Sequence, residues 1–276
     1  MAPSFPSCTV PSTNSTALHR FIIVFYLVCL QYSPTTVSTA LMKAWACHGR
    51  TQKDLVANLC EAQIIRSPEV RQAMEKVDRR FFCPNQSYRD APQPIGKGQT
   101  ISAPHMHAHA LEQMLPHLRA SSSPKLHLLD VGCGSGYLTA CMGEWVASGS
   151  LGQRPGSVYG IDVVSDLVTR STRNIERSNP ALLSSQTVQL GIADGWKGLP
   201  QTFDAIHVGA AAADFPVELL QQLKVGGVMV IPVGPQDQTQ TLYKIERQGN
   251  SGNGFDPREY TFQALFGVRY VPLVHP

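Results

Sequence analysis

Short apolar runs alternate with helical segments through the second half of the chain. The predicted strands span residues 126–131, 158–161, 188–192, 205–208 and 228–233, and the predicted helices span 139–146, 166–177 and 216–223. Strands that alternate with helices form parallel sheets, because each helix carries the chain back to the same edge. The pattern therefore predicts an α/β fold with a Rossmann-like, mostly parallel, doubly wound sheet.

The flanking segments have a different pattern. Upstream, Leu55, Leu59 and Ala62 share one helical face, and Ser67 followed by Pro68 is a typical helix start. Downstream, apolar stretches at 241–245 and 262–271 follow each other without a helix, while 149–156 and 248–257 have loop compositions. We therefore expect an N-terminal helical annex and a C-terminal antiparallel hairpin.

The first forty residues differ in composition from the rest. An apolar run at 21–30 follows Arg20, and it is too short for a transmembrane helix, which needs about 20 apolar residues. A run of ~7–15 residues suits a signal peptide, with Ser38-Thr39-Ala40 as a cleavage site. The alternative is that Met42 begins the functional protein, which we favour.

This interpretation sets the expected domain boundaries. Residues 1–41 are a leader or an extension outside the domain, disordered or cleaved, and 42–276 form a single domain. Within it, 42–125 hold the helical annex and a loop for substrate and cofactor, and 126–276 hold the cofactor-binding sheet.

Composition excludes some classes of partner. The net charge is only +3 in 276 residues and no run of Lys or Arg occurs, so a nucleic-acid partner is not expected. The seven cysteines are scattered without a Cys-x-x-Cys motif, which indicates free thiols and a reducing compartment. We expect a monomeric cytoplasmic protein without a stable membrane span; the secretory pathway is the alternative if residues 1–40 are a signal peptide.

The most informative motif follows the first predicted strand of the sheet. The strand carries Asp130 near its end, and Gly132, Gly134 and Gly136 come directly after it. Glycines let the backbone turn sharply and approach a ligand closely. A dinucleotide fingerprint has two residues between its last two glycines, whereas here Ser135 stands alone. The motif therefore favours a nucleoside cofactor that has no pyrophosphate.

Acidic residues recur at the ends of the next strands. Asp162 can bind both ribose hydroxyls, because a carboxylate at this position accepts two hydrogen bonds. Asp194, before Gly195, can accept from an adenine amino group, although a solvated turn explains it equally well.

A polar loop at 98–108 leads into a helix that begins near Pro104. Thr100 and Ser102 place hydroxyls beside the helix N-terminus, where a carboxylate can be held. His105, His107 and His109 alternate instead of following helical spacing, so we expect no metal site.

Taken with its flanks, this segment resembles the protein-L-isoaspartate (D-aspartate) O-methyltransferases, a family of class I S-adenosylmethionine-dependent methyltransferases. The resemblance runs from Ala44 to Leu273. It is carried by separate blocks at 87–96, 100–108, 129–140, 182–185, 204–212, 231–235 and 267–273.

The resemblance implies protein repair. A methyl group passes from S-adenosylmethionine to the carboxylate of L-isoaspartyl and D-aspartyl residues in damaged proteins and peptides, which are the expected partners. Ser102 corresponds to the active-site serine of the family. The cofactor contacts that the resemblance implies are Gln99, Thr100, Ile101, Ser102, His107, Asp130, Asp162, Val163, Asp194 and Gly195. The glycine motif adds Gly132, Gly134 and Gly136. The implied substrate contacts are Thr100, Ser102, Val271, Pro272 and Leu273, the last three as a strand beside the peptide.

Two departures from the family pattern are Gly98, where a bulkier or polar residue is usual, and Val274, where some members have Thr. The chemistry itself needs no general base, because a carboxyl with a pKa near 3.9 is ionised at neutral pH. Ser102 is therefore expected to orient the carboxylate rather than to attack. The alternatives are a methyltransferase for a small molecule, a nicotinamide oxidoreductase, and a non-catalytic module that recognises isoaspartate or the cofactor.

Overall fold

A computed structural model describes residues 47–152, 154–249, 252 and 254–276. The expectations about residues 1–41 and about Met42 lie outside these residues. None of the helices in the described part of the chain has the length and apolar character needed to cross a membrane.

The N-terminal annex consists of helices α1 (Gln52–Glu61), α2 (Pro68–Lys76) and α3 (Pro104–Ala120). Thr51 and Asp54 form a reciprocal capping box that fixes the start of α1. Leu55 and Leu59 of α1 and Val70 and Met74 of α2 are fully buried, which anchors the annex to the rest of the domain. Ala62, predicted on the same face as Leu55 and Leu59, is the C-cap of α1 and is half-buried.

A seven-stranded sheet forms the centre of the molecule, with strand order β5-β4-β3-β6-β7-β8-β9. Its strands are β3 (Leu126–Val131), β4 (Gly156–Asp162), β5 (Val188–Ile192), β6 (Phe203–Val208), β7 (Leu223–Val233), β8 (Gln240–Arg247) and β9 (Tyr260–Val268). Strands β3 to β7 are parallel, while β8 and β9 pair antiparallel. The predicted fold class is confirmed. The strand order reverses between β3 and β6, where such sheets bind ligands.

Helices cover both faces of the sheet. The remaining helices are α4 (Tyr137–Ala147), α5 (Ser165–Ser178), α6 (Pro180–Ser184) and α7 (Val217–Gln221). Successive residues of β3 contribute to different apolar clusters, Leu128 to one face and Leu129 to the other, as alternation along a strand requires. The helix predicted at 216–223 is shorter, because Leu223 already pairs with Phe203 as the first residue of β7.

A second, two-stranded sheet was not predicted. Strands β1 (Gln93–Gly96) and β2 (Gln99–Ile101) pair antiparallel, so the predicted polar loop begins as a strand. Lys97 and Gly98 join them with φ of 56° and 70°. Two positive φ angles are what a type I′ hairpin turn requires. Gly98, which replaces the bulkier or polar residue usual in the family, therefore suits this tight turn. We call residues 93–101 the cover hairpin.

The last predicted strand is too long at its C-terminal end. Strand β9 ends at Val268, and beyond it Pro272 forms an isolated parallel bridge with Ala211 in place of the predicted strand. The N–H of Ala211 donates to the carbonyl of Val271 at 2.8 Å, and the N–H of Leu273 donates to Ala211 at 2.8 Å. Pro272 has no N–H with which to extend a ladder. We call residues 271–275 the C-terminal segment.

Candidate functional site

The carboxyl ends of the parallel strands border a cavity with an empty volume of about 540 Å³. The cover hairpin and the C-terminal segment form its outer side. The sequence-predicted residues that line it are Gln99, Thr100, Gly132, Gly134, Asp162, Val163, Gly195, Val271, Pro272 and Leu273. Segments far apart in the sequence thus meet around one cavity.

The glycine loop connects β3 to α4 at the inner side of this cavity. Gly132 and Gly134 have φ of 71° and 56°, and the backbone N–H of Gly132 donates to Ile161 at 2.8 Å. Gly136 has φ of 85° and precedes α4, where a Cβ would lie 2.8 Å from the Cβ of Ser171. Gly136 is not among the residues that line the cavity. Its missing side chain permits the close contact between α4 and α5.

Asp162 closes the end of β4 against the glycine loop. Its Oδ2 accepts from the N–H of Gly134 at 3.1 Å, and its Oδ1 accepts from the N–H of Val164 at 3.0 Å. Burial raises the pKa of this carboxyl, although the backbone hydrogen bonds partly offset the effect. Its carboxylate lines the cavity and is fixed in place by the loop that carries the glycines.

Asp130, at the end of the neighbouring strand, has different partners. Its Oδ2 accepts from the hydroxyl of Thr139 at 2.5 Å, and its Oδ1 lies 2.8 Å from Nδ1 of His207. The carboxylate therefore ties β3 to α4 and β6. It borders a smaller cavity of about 340 Å³, together with Gly132, Ile101, Ser102 and His107.

Asp194 does not line either cavity. Its Oδ1 accepts from the N–H of Trp196 at 3.0 Å, and its Oδ2 lies 3.0 Å from Nδ1 of His275. The indole N–H of Trp196 donates to the carbonyl of Leu273 at 3.1 Å. The predicted adenine acceptor therefore holds the C-terminal segment, while Gly195 leaves room for Leu273, whose Cδ1 would lie 2.8 Å from a Cβ there.

Ser102 is half buried at the start of α3. The residue at the N-cap is Ala103, without a side-chain capping hydrogen bond, so Ser102 is not the cap of this helix. Burial raises the pKa of Tyr270 to about 12, and a hydrogen bond with Ser102 partly offsets this effect. Ser102 borders both the smaller cavity and an open groove of about 1220 Å³. Thr100 and Gly209 line the groove and both cavities.

The three alternating histidines have separate partners. His105 Nδ1 lies 2.8 Å from Asp90, and the ring of His109 packs edge-on against Phe266 with centroids 4.7 Å apart. His107 is buried, and burial together with the nearby charge of Arg79 holds its pKa well below its usual range. No group of metal-binding side chains is found among the described residues.

Several residues at the site were missed by sequence reasoning. They are Arg79, Thr139, His207, Trp196 and Tyr270. Thr139, His207 and Tyr270 fall inside the blocks that carry the family resemblance, which was an available signal. Arg79 and Trp196 lie outside these blocks.

Comparison with known proteins identifies the family. The family described as Protein-L-isoaspartate(D-aspartate) O-methyltransferase (PCMT) matches residues 50–276. The chain belongs to this family. The resemblance predicted from the sequence is thereby confirmed.

Individual members of the PCMT family agree with this assignment. A protein-L-isoaspartate O-methyltransferase of Triticum aestivum is 41% identical over 236 residues, covering 83% of this chain and 94% of the relative. One from Caenorhabditis elegans is 40% identical over 206 residues, covering 74% and 87%. A Plasmodium falciparum crystal structure that carries the PCMT name superposes with a TM-score of 0.70 at 34% identity, covering 82% of this chain and 99% of the other. That protein is in complex with S-adenosyl-L-homocysteine.

Proposed function

We propose that this chain transfers a methyl group from S-adenosylmethionine to the carboxylate of L-isoaspartyl and D-aspartyl residues in damaged proteins. The observation that carries the proposal is the connection between the cavity at the strand ends and the open groove. Thr100, Gly209, Val271 and Pro272 line both spaces. A nucleoside cofactor in the cavity and a peptide in the groove would therefore meet beside Thr100, and Ser102 borders the groove.

The lining of the cavity suits the cofactor. Gly132 and Gly134 offer bare backbone, and apolar side chains such as Ile95 and Leu167 surround the remaining space. Asp162 is the carboxylate that would accept from the ribose hydroxyls. We propose Gln99, Thr100, Ile101, Val163 and Gly195 as further contacts, and His107 and Asp130 as the support of the smaller cavity.

When bound, S-adenosylmethionine supplies an electrophilic methyl group, whose transfer forms a carbon–oxygen bond as the carbon–sulfur bond breaks. The carboxyl of the substrate is ionised near neutral pH, so no residue of the chain has to remove a proton. The protein's task is alignment, which is worth roughly 7–11 kcal/mol when the reacting atoms are well oriented. Ser102 would donate a hydrogen bond to the carboxylate, and Thr100 with Val271, Pro272 and Leu273 would border the peptide.

The proposal is tested by methyl incorporation into an isoaspartyl peptide and into its normal aspartyl twin. We expect methylation of the isoaspartyl peptide alone. Since a hydrogen bond to a charged group contributes about 1.5–3 kcal/mol, Ser102→Ala should lower kcat/KM by roughly one to two powers of ten. Its affinity for S-adenosylhomocysteine and its melting temperature should stay close to those of the wild type. Equal methylation of the twin peptides, or of neither, would contradict the function.

We also propose that residues 42–276 form a single domain and act as a cytoplasmic monomer. The family match begins at residue 50, and Cys47, Cys60, Cys83, Cys133 and Cys141 are free thiols, as expected in a reducing compartment. A protein that begins at Met42 should be as active as the full chain and sediment as a monomer. Loss of folding on this truncation would contradict the boundary, and secretion of the full chain would contradict the compartment.

A further inference from the structure

A completely buried arginine lies behind the proposed substrate site. Arg79 is 0% exposed, and its guanidinium has no carboxylate partner within ion-pair distance among the described residues. Its Nε has no hydrogen-bond partner in the described structure. A buried charge without a counter-charge is strongly disfavoured, and burial lowers the pKa of this group. Such an arrangement calls for a function that offsets its cost.

The contacts of Arg79 converge on one place. Its Nη2 donates to the carbonyl of Ser102 at 2.7 Å, its Nη1 lies 3.4 Å from Nδ1 of His107, and its Cζ lies 5.2 Å from the ring centroid of Tyr137. Ser102, His107 and Tyr137 all line the smaller cavity. The positive charge is therefore placed directly behind the wall of that cavity.

The charges around Arg79 leave this positive field largely in place. The nearby titratable groups are His107, Tyr137, Cys83, Cys141 and Asp90. Burial keeps His107 neutral, and it also raises the pKa values of Tyr137, Cys83 and Cys141, so these groups are uncharged near neutral pH. The carboxyl groups have other partners: Asp90 lies 2.8 Å from His105, and Asp130, which borders the smaller cavity, lies 2.8 Å from His207 and accepts from Thr139.

We propose that Arg79 is a positioning residue that fixes the backbone of Ser102 and supplies the positive charge which draws the carboxylate of the substrate into the site. The inference rests on the proposed function. The carboxylate loses its charge as it becomes an ester, so attraction to Arg79 is stronger before transfer than during it. Interactions of this kind lower KM without raising kcat. The charge therefore acts on capture of the anionic substrate.

The experiment compares two peptides on three proteins. The first peptide carries the isoaspartyl carboxylate, and the second carries a carboxamide in its place and is measured as a competitive inhibitor. Arg79→Met should raise KM for the carboxylate peptide by about tenfold or more, because a hydrogen-bonded charge is lost, while kcat stays within about threefold. Its inhibition constant for the carboxamide peptide should stay within about threefold. Arg79→Lys, which keeps the charge, should restore most of the KM.

Arg247 offers a matched control. It is also buried, and its Nη1 donates to the carbonyls of Gln221 at 3.1 Å and Leu223 at 2.8 Å, away from the site. Arg247→Lys should change the melting temperature, but it should not change KM for the carboxylate peptide relative to the inhibition constant for the carboxamide peptide. If Arg79→Met does not fold, Arg79→Gln, which keeps N–H donors but removes the charge, takes its place with the same expectations. Equal weakening of both peptides by a folded Arg79 variant, or a lower kcat at unchanged KM, would overturn the proposal. An inactive wild-type protein would overturn the proposed function instead.

Discussion

The two sides of the large cavity are built in different ways. The inner wall is built from the ends of β3 and β4 and the glycine loop at 132–136, of which Gly132, Gly134 and Asp162 line the cavity. Asp130 and Asp162 are 1% and 9% exposed. The outer wall consists of the cover hairpin and the C-terminal segment, where Val274 is 44% exposed. The inner wall is fixed by the core of the sheet, whereas the outer wall is held by the buried side chains of Ile95 and Ile101 and by a few hydrogen bonds at the surface.

Because of this difference, we expect substitutions in the two walls to have different effects on stability and on ligand binding. The cover hairpin is held to α5 by a hydrogen bond from Arg170 to the carbonyl of Ile95 and by an ion pair between Lys97 and Asp166. Exposed ion pairs contribute little, typically up to about 1 kcal/mol. Changes in the outer wall should therefore alter ligand exchange, while changes in the inner wall should alter folding or affinity.

The largest effect should come from adding a methyl group to the inner wall. Gly136→Ala combines a positive φ with a Cβ 2.8 Å from Ser171, so α4 and α5 must separate. We expect a loss of about 3 kcal/mol or more in the free energy of unfolding. In Gly98→Ala, of the outer wall, φ is also positive but nothing lies within 4 Å of the Cβ. It should lose only about 1 kcal/mol. If denaturant titrations show the same loss in the free energy of unfolding for both variants, the two walls do not differ in this way.

The two inner-wall carboxylates should respond differently to substitution. Asp162→Ala removes the expected ribose acceptors, and two hydrogen bonds to a charge are worth about 3 kcal/mol or more, or roughly 100-fold in affinity for S-adenosylhomocysteine. Asp130→Ala leaves His207 and Thr139 without this hydrogen-bond partner and should instead lower the melting temperature of the free protein. Calorimetric titration and thermal unfolding of both variants check this. An unchanged affinity in Asp162→Ala would refute the ribose assignment.

The helix that follows the cover hairpin should make stability depend on pH. Burial, with smaller contributions from Arg66 and His105, lowers the pKa of His109 from 6.5 to about 4. Below pH 6.5 the unfolded chain binds a proton at His109 that the folded protein does not, so stability is lost as the pH falls toward 4. Relative to wild type, His109→Gln should gain up to about 3 kcal/mol between pH 7.5 and pH 4. Parallel stability curves for the two proteins would show that His109 plays no part.

The smallest effect should come from loosening the outer wall. Trp196→Phe removes the hydrogen bond to Leu273, and a neutral hydrogen bond contributes about 0.5–1.5 kcal/mol. We expect affinity for S-adenosylhomocysteine to fall by up to about tenfold, mainly through faster dissociation. The melting temperature without ligand should hardly change. Stopped-flow release measurements would contradict the role of this contact if both proteins release the ligand at the same rate.

The inner wall was largely predictable from sequence, because strand, glycine loop and helix follow one another locally. The contact between Asp194 and His275 could not be predicted, because only the fold brings these two distant residues together. The strand predicted at 262–271 ran too far, since the apolar pattern continues past Val268 although the backbone leaves β9 there. The burial of Arg79 depends on packing among α1, α3 and α4, which no local pattern encodes. The roles of the site residues remain predictions.

The position of the C-terminal segment has a consequence for how the protein is made. Val271, Pro272, Leu273 and Val274 complete a cavity whose other walls begin at Ile95. Domains emerge from the ribosome N-terminal end first. A growing chain therefore cannot present a complete cofactor cavity until residue 274 has emerged, and a ligand that binds only the completed cavity stabilises the protein only from then on. During synthesis, the sheet has to reach its fold without help from the cofactor.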